Sequence, residues 1–257
     1  MSARNFTLKG ADPEAATLRL LIVPHAGAGA ASGLGFAGHA PGDWLVATAR
    51  LPGRESRVRE AVPGLPGLVA DVVATIRALP GTAPLLVVGV CSGAVIGLEA
   101  VREIERSGDG EVAGFVVVSQ WAVNEAPDPA RRLLRDTDDP AEVLDILREF
   151  DGVPESLAAQ PEMLGLVLPA IVADIRAVEA YVADPAVAAV RCPLLAVFGD
   201  EDELCPEERT ADWSLFSAYT RTVWLPGGHL LLADEPALLA EAIADHRDHF
   251  TAAQLQI

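Results

Sequence analysis

No stretch of this chain is apolar for long enough to cross a bilayer, and the residues from Met1 to Gly10 show neither a long apolar core nor a small-residue cleavage site. A membrane-spanning protein and a secreted one are therefore not expected, and the cytoplasm is the expected compartment. Positive charge is scarce. Lysine occurs once, as Lys9, and 19 cationic side chains face 37 acidic ones, for a net charge of −18. That balance argues against nucleic acid and against anionic membranes as partners. Cysteine is sparse too. Cys91, Cys192 and Cys205 form an odd set without zinc-like spacing, so free thiols and no metal are expected. Internal repeats and low-complexity tracts are absent.

The chain does carry 257 residues, 51% of them hydrophobic, enough for one large domain with a sizeable core. Short apolar runs at Leu18–Val23, Leu85–Val88, Phe115–Val118 and Leu194–Phe198 lack the alternation of half-buried strands. They fit parallel strands covered on both faces. Helical patterns separate them: Leu65–Leu79, the segment after Cys91, and Pro236–His249. After Cys91, the positions Ala94, Gly97, Leu98, Val101 and Ile104 share one face, with Glu99, Arg102, Glu103 and Glu105 opposite. Alternating strands and helices predict an α/β fold with a mostly parallel sheet. From about 128 to 184 the pattern is helical throughout, which predicts an insertion forming a lid within a single domain of residues 1–257. The segment around Ala26–Gly35 reads as a loop.

Gly89-Val90-Cys91-Ser92-Gly93 follows an apolar strand and opens a helix, the setting of a nucleophile elbow. The usual pattern is G-x-S-x-G, and here a cysteine holds the central place. Ser92 is one place late, so its backbone N–H is expected in the oxyanion hole instead of its hydroxyl acting as nucleophile. Cys192 and Cys205 lack such framing and read as small buried residues. Nucleophile, acid and base follow in that order along such chains. The acidic stretch Asp200-Glu201-Asp202-Glu203 follows a strand, and Asp202 is the expected acid with Asp200 as runner-up. His229, after Pro226-Gly227-Gly228 at the end of the Arg221–Leu225 strand, is the expected base. His39 reads as a loop residue, while His246 and His249 read as surface residues of the last helix. His25 reads equally as a site neighbour or as loop packing. Pro24-His25-Ala26-Gly27-Ala28-Gly29 ends the first long strand, and the Ala26 N–H is the second expected oxyanion donor.

The chain resembles the type II thioesterases of polyketide and nonribosomal peptide pathways, members of the α/β-hydrolase fold. The likeness rests on Pro24-His25-Ala26-Gly27, Leu51-Pro52-Gly53-Arg54-Glu55-Ser56-Arg57, the elbow, Leu168-Pro169 through Asp174 to Tyr181, and Gly227-Gly228-His229. It spans nearly the whole chain. It implies a small-molecule thioester carried on the phosphopantetheine arm of an acyl or peptidyl carrier protein domain, with no cofactor of the enzyme's own. Two positions depart from the family pattern. Gly-Val-Cys-Ser-Gly stands where Gly-His-Ser-Met-Gly is usual, and Ala28 replaces a glycine. A cysteine at this elbow is similar to the Dieckmann cyclases that release tetramic acids. Release by carbon–carbon bond formation is thus the leading expectation. A hydrolytic editing thioesterase and a non-catalytic carrier-binding protein are the alternatives.

A thioester on Cys91 would keep its carbonyl reactive, and His229 could deprotonate a β-ketoamide to attack it. The lid's Leu144, Ile146, Leu147, Leu164, Leu166, Val167, Leu168 and Ile171 are suited to excluding water, though most of them are expected simply to pack the lid helices. Arg54 and Arg57, or Arg131, Arg132 and Arg135, are candidates for meeting the carrier's acidic surface or the pantetheine phosphate, although surface charge runs are usually only solvated.

Overall fold

The computed structural model describes residues 5–108, 110–125, 134, 137, 139–149 and 159–252. Seven strands form one sheet: β1 (Phe6–Gly10), β2 (Leu18–Val23), β3 (Trp44–Ala49), β4 (Leu85–Val90), β5 (Gly114–Val118), β6 (Leu194–Gly199) and β7 (Thr220–Leu225). Their order is β1-β3-β2-β4-β5-β6-β7. Only β1 runs antiparallel, against β3; the other pairings are parallel. This is the α/β-hydrolase arrangement, with helices on both faces of a mostly parallel sheet.

The continuous apolar runs have a direct cause. Successive side chains of a strand point to opposite faces, and here both faces are covered. Leu21 and Val23 enter one core while Leu20 and Ile22 enter the other. Val87 parts from Leu86 and Val88 in the same way, and Ala196 from Leu195 and Val197. Each such buried aliphatic side chain contributes roughly 1.5–3 kcal/mol.

The helices after the elbow and before β4 follow the expected spacing, at Ser92–Ser107 and Leu65–Ala78. Ala94, Gly97, Leu98, Val101 and Ile104 are all buried. Gly108 ends the first of these with a left-handed backbone, φ 70°, which glycine adopts without steric cost.

Several expectations need correction. β1 and β3 were not among the expected strands. The Ala26–Gly35 segment is not all loop, since a 3₁₀ turn spans Ala30–Gly33 and a short helix Leu34–His39, which holds His39. The last helical stretch breaks into Pro236–Asp245 and Arg247–Ala252. The break restarts the helical phase and turns His249 inward. His249 is buried, with its Nε2 3.1 Å from the Leu194 carbonyl oxygen, whereas His246 is half-buried.

No strand occurs among the described residues between β5 and β6. Helices at Pro140–Glu149 and Pro161–Glu179 lie there instead. Leu134, Val143, Leu147, Leu164, Leu168, Ile171 and Ile175 give this region a separate small core. Leu166, alone of the eight apolar residues foreseen for the lid, is exposed. Part of the 128–184 segment, including Arg131, Arg132 and Arg135, lies outside the described residues. No helix among the described residues is long and apolar enough to cross a membrane.

Candidate active site

Cys91 stands at the turn between β4 and the Ser92–Ser107 helix. Its backbone has a positive φ, 49°, with ψ −124°, a strained state for a side chain with a Cβ. The flanking glycines make the turn possible. A Cβ on Gly93 would lie 2.1 Å from the Val23 carbonyl oxygen, and one on Gly89 2.4 Å from the Ala94 Cα. The Cys91 N–H donates to the Val118 carbonyl at 2.8 Å, which ties the turn to β5. The cysteine is partly exposed, and all three cysteines are free thiols.

His229 and Asp202 converge on this turn from the carboxyl ends of β7 and β6. His229 Nδ1 lies 2.9 Å from Asp202 Oδ2, and both residues are buried. The other Asp202 oxygen accepts the Leu204 N–H at 3.0 Å. Asp200 is engaged elsewhere, accepting the Gly227 N–H at 3.1 Å. Geometry thus separates the two acids that the sequence leaves crowded together. The sulfurs of Cys91 and Cys205 lie beside the His229 ring. Burial opposes its charged form, but the neighbouring Cys91, the hydrogen bond to Asp202 and the nearby Cys205 outweigh that. The imidazole is held well above its ordinary value.

Cys205 is fully buried beside this pair, and burial pushes its thiol up to about 12. Asp202, Cys205 and His229 each place one potential metal-ligand atom within 4.8 Å of the others. The Asp202–His229 hydrogen bond already occupies two of those groups, so an ion there would have to break it.

A chamber of about 580 Å³, including its mouth, opens above the sulfur. Ala26, Ser92, Cys91, His25 and His229 border it from the sheet side. Leu147, Ile171, Ile175 and Val178 border it from the two helices of the 128–184 segment. The expected oxyanion donors Ala26 and Ser92 therefore lie at the same cavity as the thiol. Leu147 and Ile171 reach it among the apolar residues foreseen for the lid.

Arg54 and Arg57 do not fit the role of carrier contacts. Arg54 is 2% exposed, and its guanidinium forms a two-pronged ion pair with Asp174 at 2.7 and 3.1 Å. Asp174 Oδ2 also accepts the Gly27 N–H at 2.9 Å. Arg57 is bound to Asp71 at 2.7 and 2.8 Å and to Glu60. The Asp174 bonds to Arg54 and Gly27 hold the Ala26 loop against the Pro161–Glu179 helix, while Arg57 ties its own segment to the Leu65–Ala78 helix. The approach is close enough that a Cβ on Gly27 would meet Ile171 Cγ1 at 2.1 Å. Gln120, Trp121 and Leu230 also border the chamber and carry no motif that the sequence would flag.

A family described as a thioesterase domain matches residues 18–251. Thioesterase PikA5 from Streptomyces venezuelae is 30% identical over 237 residues, which cover 89% of this chain and 80% of that one. The medium-chain S-acyl fatty acid synthase thioesterase of Homo sapiens is 29% identical over 229 residues, covering 87% and 83%. Among solved structures, the type II thioesterase BorB from the borrelidin biosynthetic cluster matches with a TM-score of 0.81 and 25% identity, covering 96% of this chain and 98% of that one.

Proposed function

Because the chain belongs to the thioesterase domain family, we propose that it removes acyl groups from carrier-bound thioesters by hydrolysis, as an editing enzyme of a polyketide or nonribosomal peptide pathway. The observation that carries this reading is the sulfur of Cys91 at a strained elbow, facing the same chamber as a His229 that Asp202 orients. The description of BorB as a type II thioesterase of a biosynthetic cluster supports the pathway class, and the name of PikA5 supports the thioesterase activity.

In this reading the Cys91 thiolate attacks the thioester carbonyl. The carbon–sulfur bond forms, and the oxygen takes up negative charge between the N–H groups of Ala26 and Ser92. The bond to the pantetheine sulfur then breaks, and His229 gives that sulfur its proton. Water next attacks the acyl-Cys91 carbonyl and passes a proton to His229, and the acid leaves as Cys91 is restored. Asp202 keeps the imidazole in one orientation throughout. The helices Pro140–Glu149 and Pro161–Glu179 serve as the lid of a single domain. No cofactor is required, since the pantetheine belongs to the carrier. A thiol nucleophile is best kept in a reducing cytoplasm.

One observation favours a second reading, in which release is Dieckmann cyclisation to a tetramic acid. Sulfur replaces oxygen at the elbow, and a thioester stays electrophilic enough for a carbanion of the same chain to attack it within walls that shed water. Intact-protein mass spectrometry with an acyl-pantetheine thioester tests the shared step. The expected result is an acyl adduct on the wild type and none on Cys91→Ala, with turnover lost. Turnover by Cys91→Ala would overturn both readings. With a β-ketoacyl-aminoacyl thioester, a linear acid supports editing and a cyclic product without added water supports cyclisation. An adduct also excludes a purely carrier-binding role.

A further inference from the structure

The chamber above Cys91 is walled mainly by carbon, from Trp121, Leu147, Ile171, Ile175, Val178 and Leu230. Besides Cys91 and His229 themselves, four polar side chains interrupt it. Glu179 is already engaged within the protein, and the Gln120 amide donates to the Trp121 carbonyl at 3.2 Å. The other two differ. His25 Nδ1 and Ser92 Oγ are buried and have no hydrogen-bond partner. Trp44, Thr75 and Ser119 carry the remaining such atoms among the described residues, and none of those three borders the chamber. Buried polar atoms are costly to leave unmet, so two of them at one cavity call for a partner that arrives with the ligand.

The reaction proposed above uses neither group. It draws on the Ser92 N–H and not the hydroxyl, and it leaves His25 idle. Burial, with the positive charges of His229 and Arg54, pulls the His25 imidazole down to about 4. At neutral pH the ring is therefore uncharged, with one donor and one acceptor nitrogen. Chain position fixes where these groups act. His25 immediately precedes Ala26 and Ser92 immediately follows Cys91, so both flank the point where the thioester carbonyl must lie. They meet the first carbons of an acyl chain and not its tail.

We propose that His25 and Ser92 form a polar station that reads an oxygen on carbon 2 or 3 of the acyl group, so that the preferred cargo is a hydroxyacyl or oxoacyl thioester and not a plain alkanoyl one. This rests on the reading that Cys91 accepts acyl groups from thioesters. A cationic amino group suits the station poorly, because His229 places positive charge close by. A site built to hydrogen-bond a substrate oxygen rejects the analogue that lacks it, since its own groups are then left unpaired.

The test compares kcat/KM for butanoyl- and 3-hydroxybutanoyl-pantetheine, each divided by its rate of hydroxide hydrolysis. The wild type should favour the hydroxy substrate by about 10-fold or more. His25→Phe and Ser92→Ala should each shrink that ratio, and the double variant should bring it to within about twofold of unity. His25→Asn, which offers an amide nitrogen near the place of Nδ1, should recover part of it. A wild-type ratio near unity overturns the proposal. So does a ratio that the variants leave unchanged while both rates fall together. If mass spectrometry finds an acyl adduct on Cys91 from either thioester, such a failure falls on the polar station alone. If neither thioester acylates Cys91, the parent reading fails and this one with it.

Discussion

At the scale of single residues, the proposed reaction turns on Cys91 and His229, and His25 stands beside it. Cys91→Ser keeps the elbow but makes the acyl-enzyme an oxoester, a weaker target for carbon. We expect linear acid to gain over any cyclic product in that variant, read by chromatography of the released acids. Undiminished cyclisation by it would remove the argument for sulfur. The two histidines should pull stability in opposite directions. His229 has a raised folded-state value, so its contribution is in place below pH 6.5 and fades as pH rises through that value. His25 has a lowered one. As pH falls from about 6.5 to about 4, the unfolded chain takes up a proton that the folded chain refuses, and stability drops over that window. The loss is at most about 3 kcal/mol. Urea unfolding of the wild type and of His25→Phe between pH 7 and pH 4 should show a shallower decline in the variant.

At the scale of elements, the Pro161–Glu179 helix is joined to the Ala26 loop by the buried Arg54–Asp174 pair. Removing one partner strands a buried charge, so Arg54→Met should cost about 3–5 kcal/mol. Arg54→Met combined with Asp174→Leu should cost less than the sum of the two, by denaturant titration. This pair also marks where sequence reading stops. The elbow was legible because Gly89, Cys91 and Gly93 lie within one short segment, and His229 because a glycine turn announces it. Arg54 looked like a surface cation because its partner is 120 residues away. The four foreseen core strands were legible because both their faces are buried. β1 escaped because its five residues form a partly exposed antiparallel edge. β3 is buried throughout, but Thr48 interrupts its apolar run. His249 escaped because nothing in the periodicity shows the helix restarting at Arg247.

At the scale of the whole molecule, the net charge of −18 bears on encounter with any acidic carrier. Like charges repel over distances that salt shortens, from a Debye length of about 30 Å at 0.01 M to about 8 Å at 0.15 M. We expect kcat/KM on an acyl-carrier substrate to rise across that range and to stay flat on a free acyl-pantetheine, measured side by side. A fall with salt would point to a local basic patch. The molecule's access problem is set by Asp174, whose one carboxylate grips Arg54 and the amide of Gly27 together. Should that helix swing outward beyond bonding reach, the backbone cradle next to it would lose its anchor in the same movement. In the proposed mechanism admission and reaction would thereby be interlocked, and an enzyme standing open would also be an enzyme switched off.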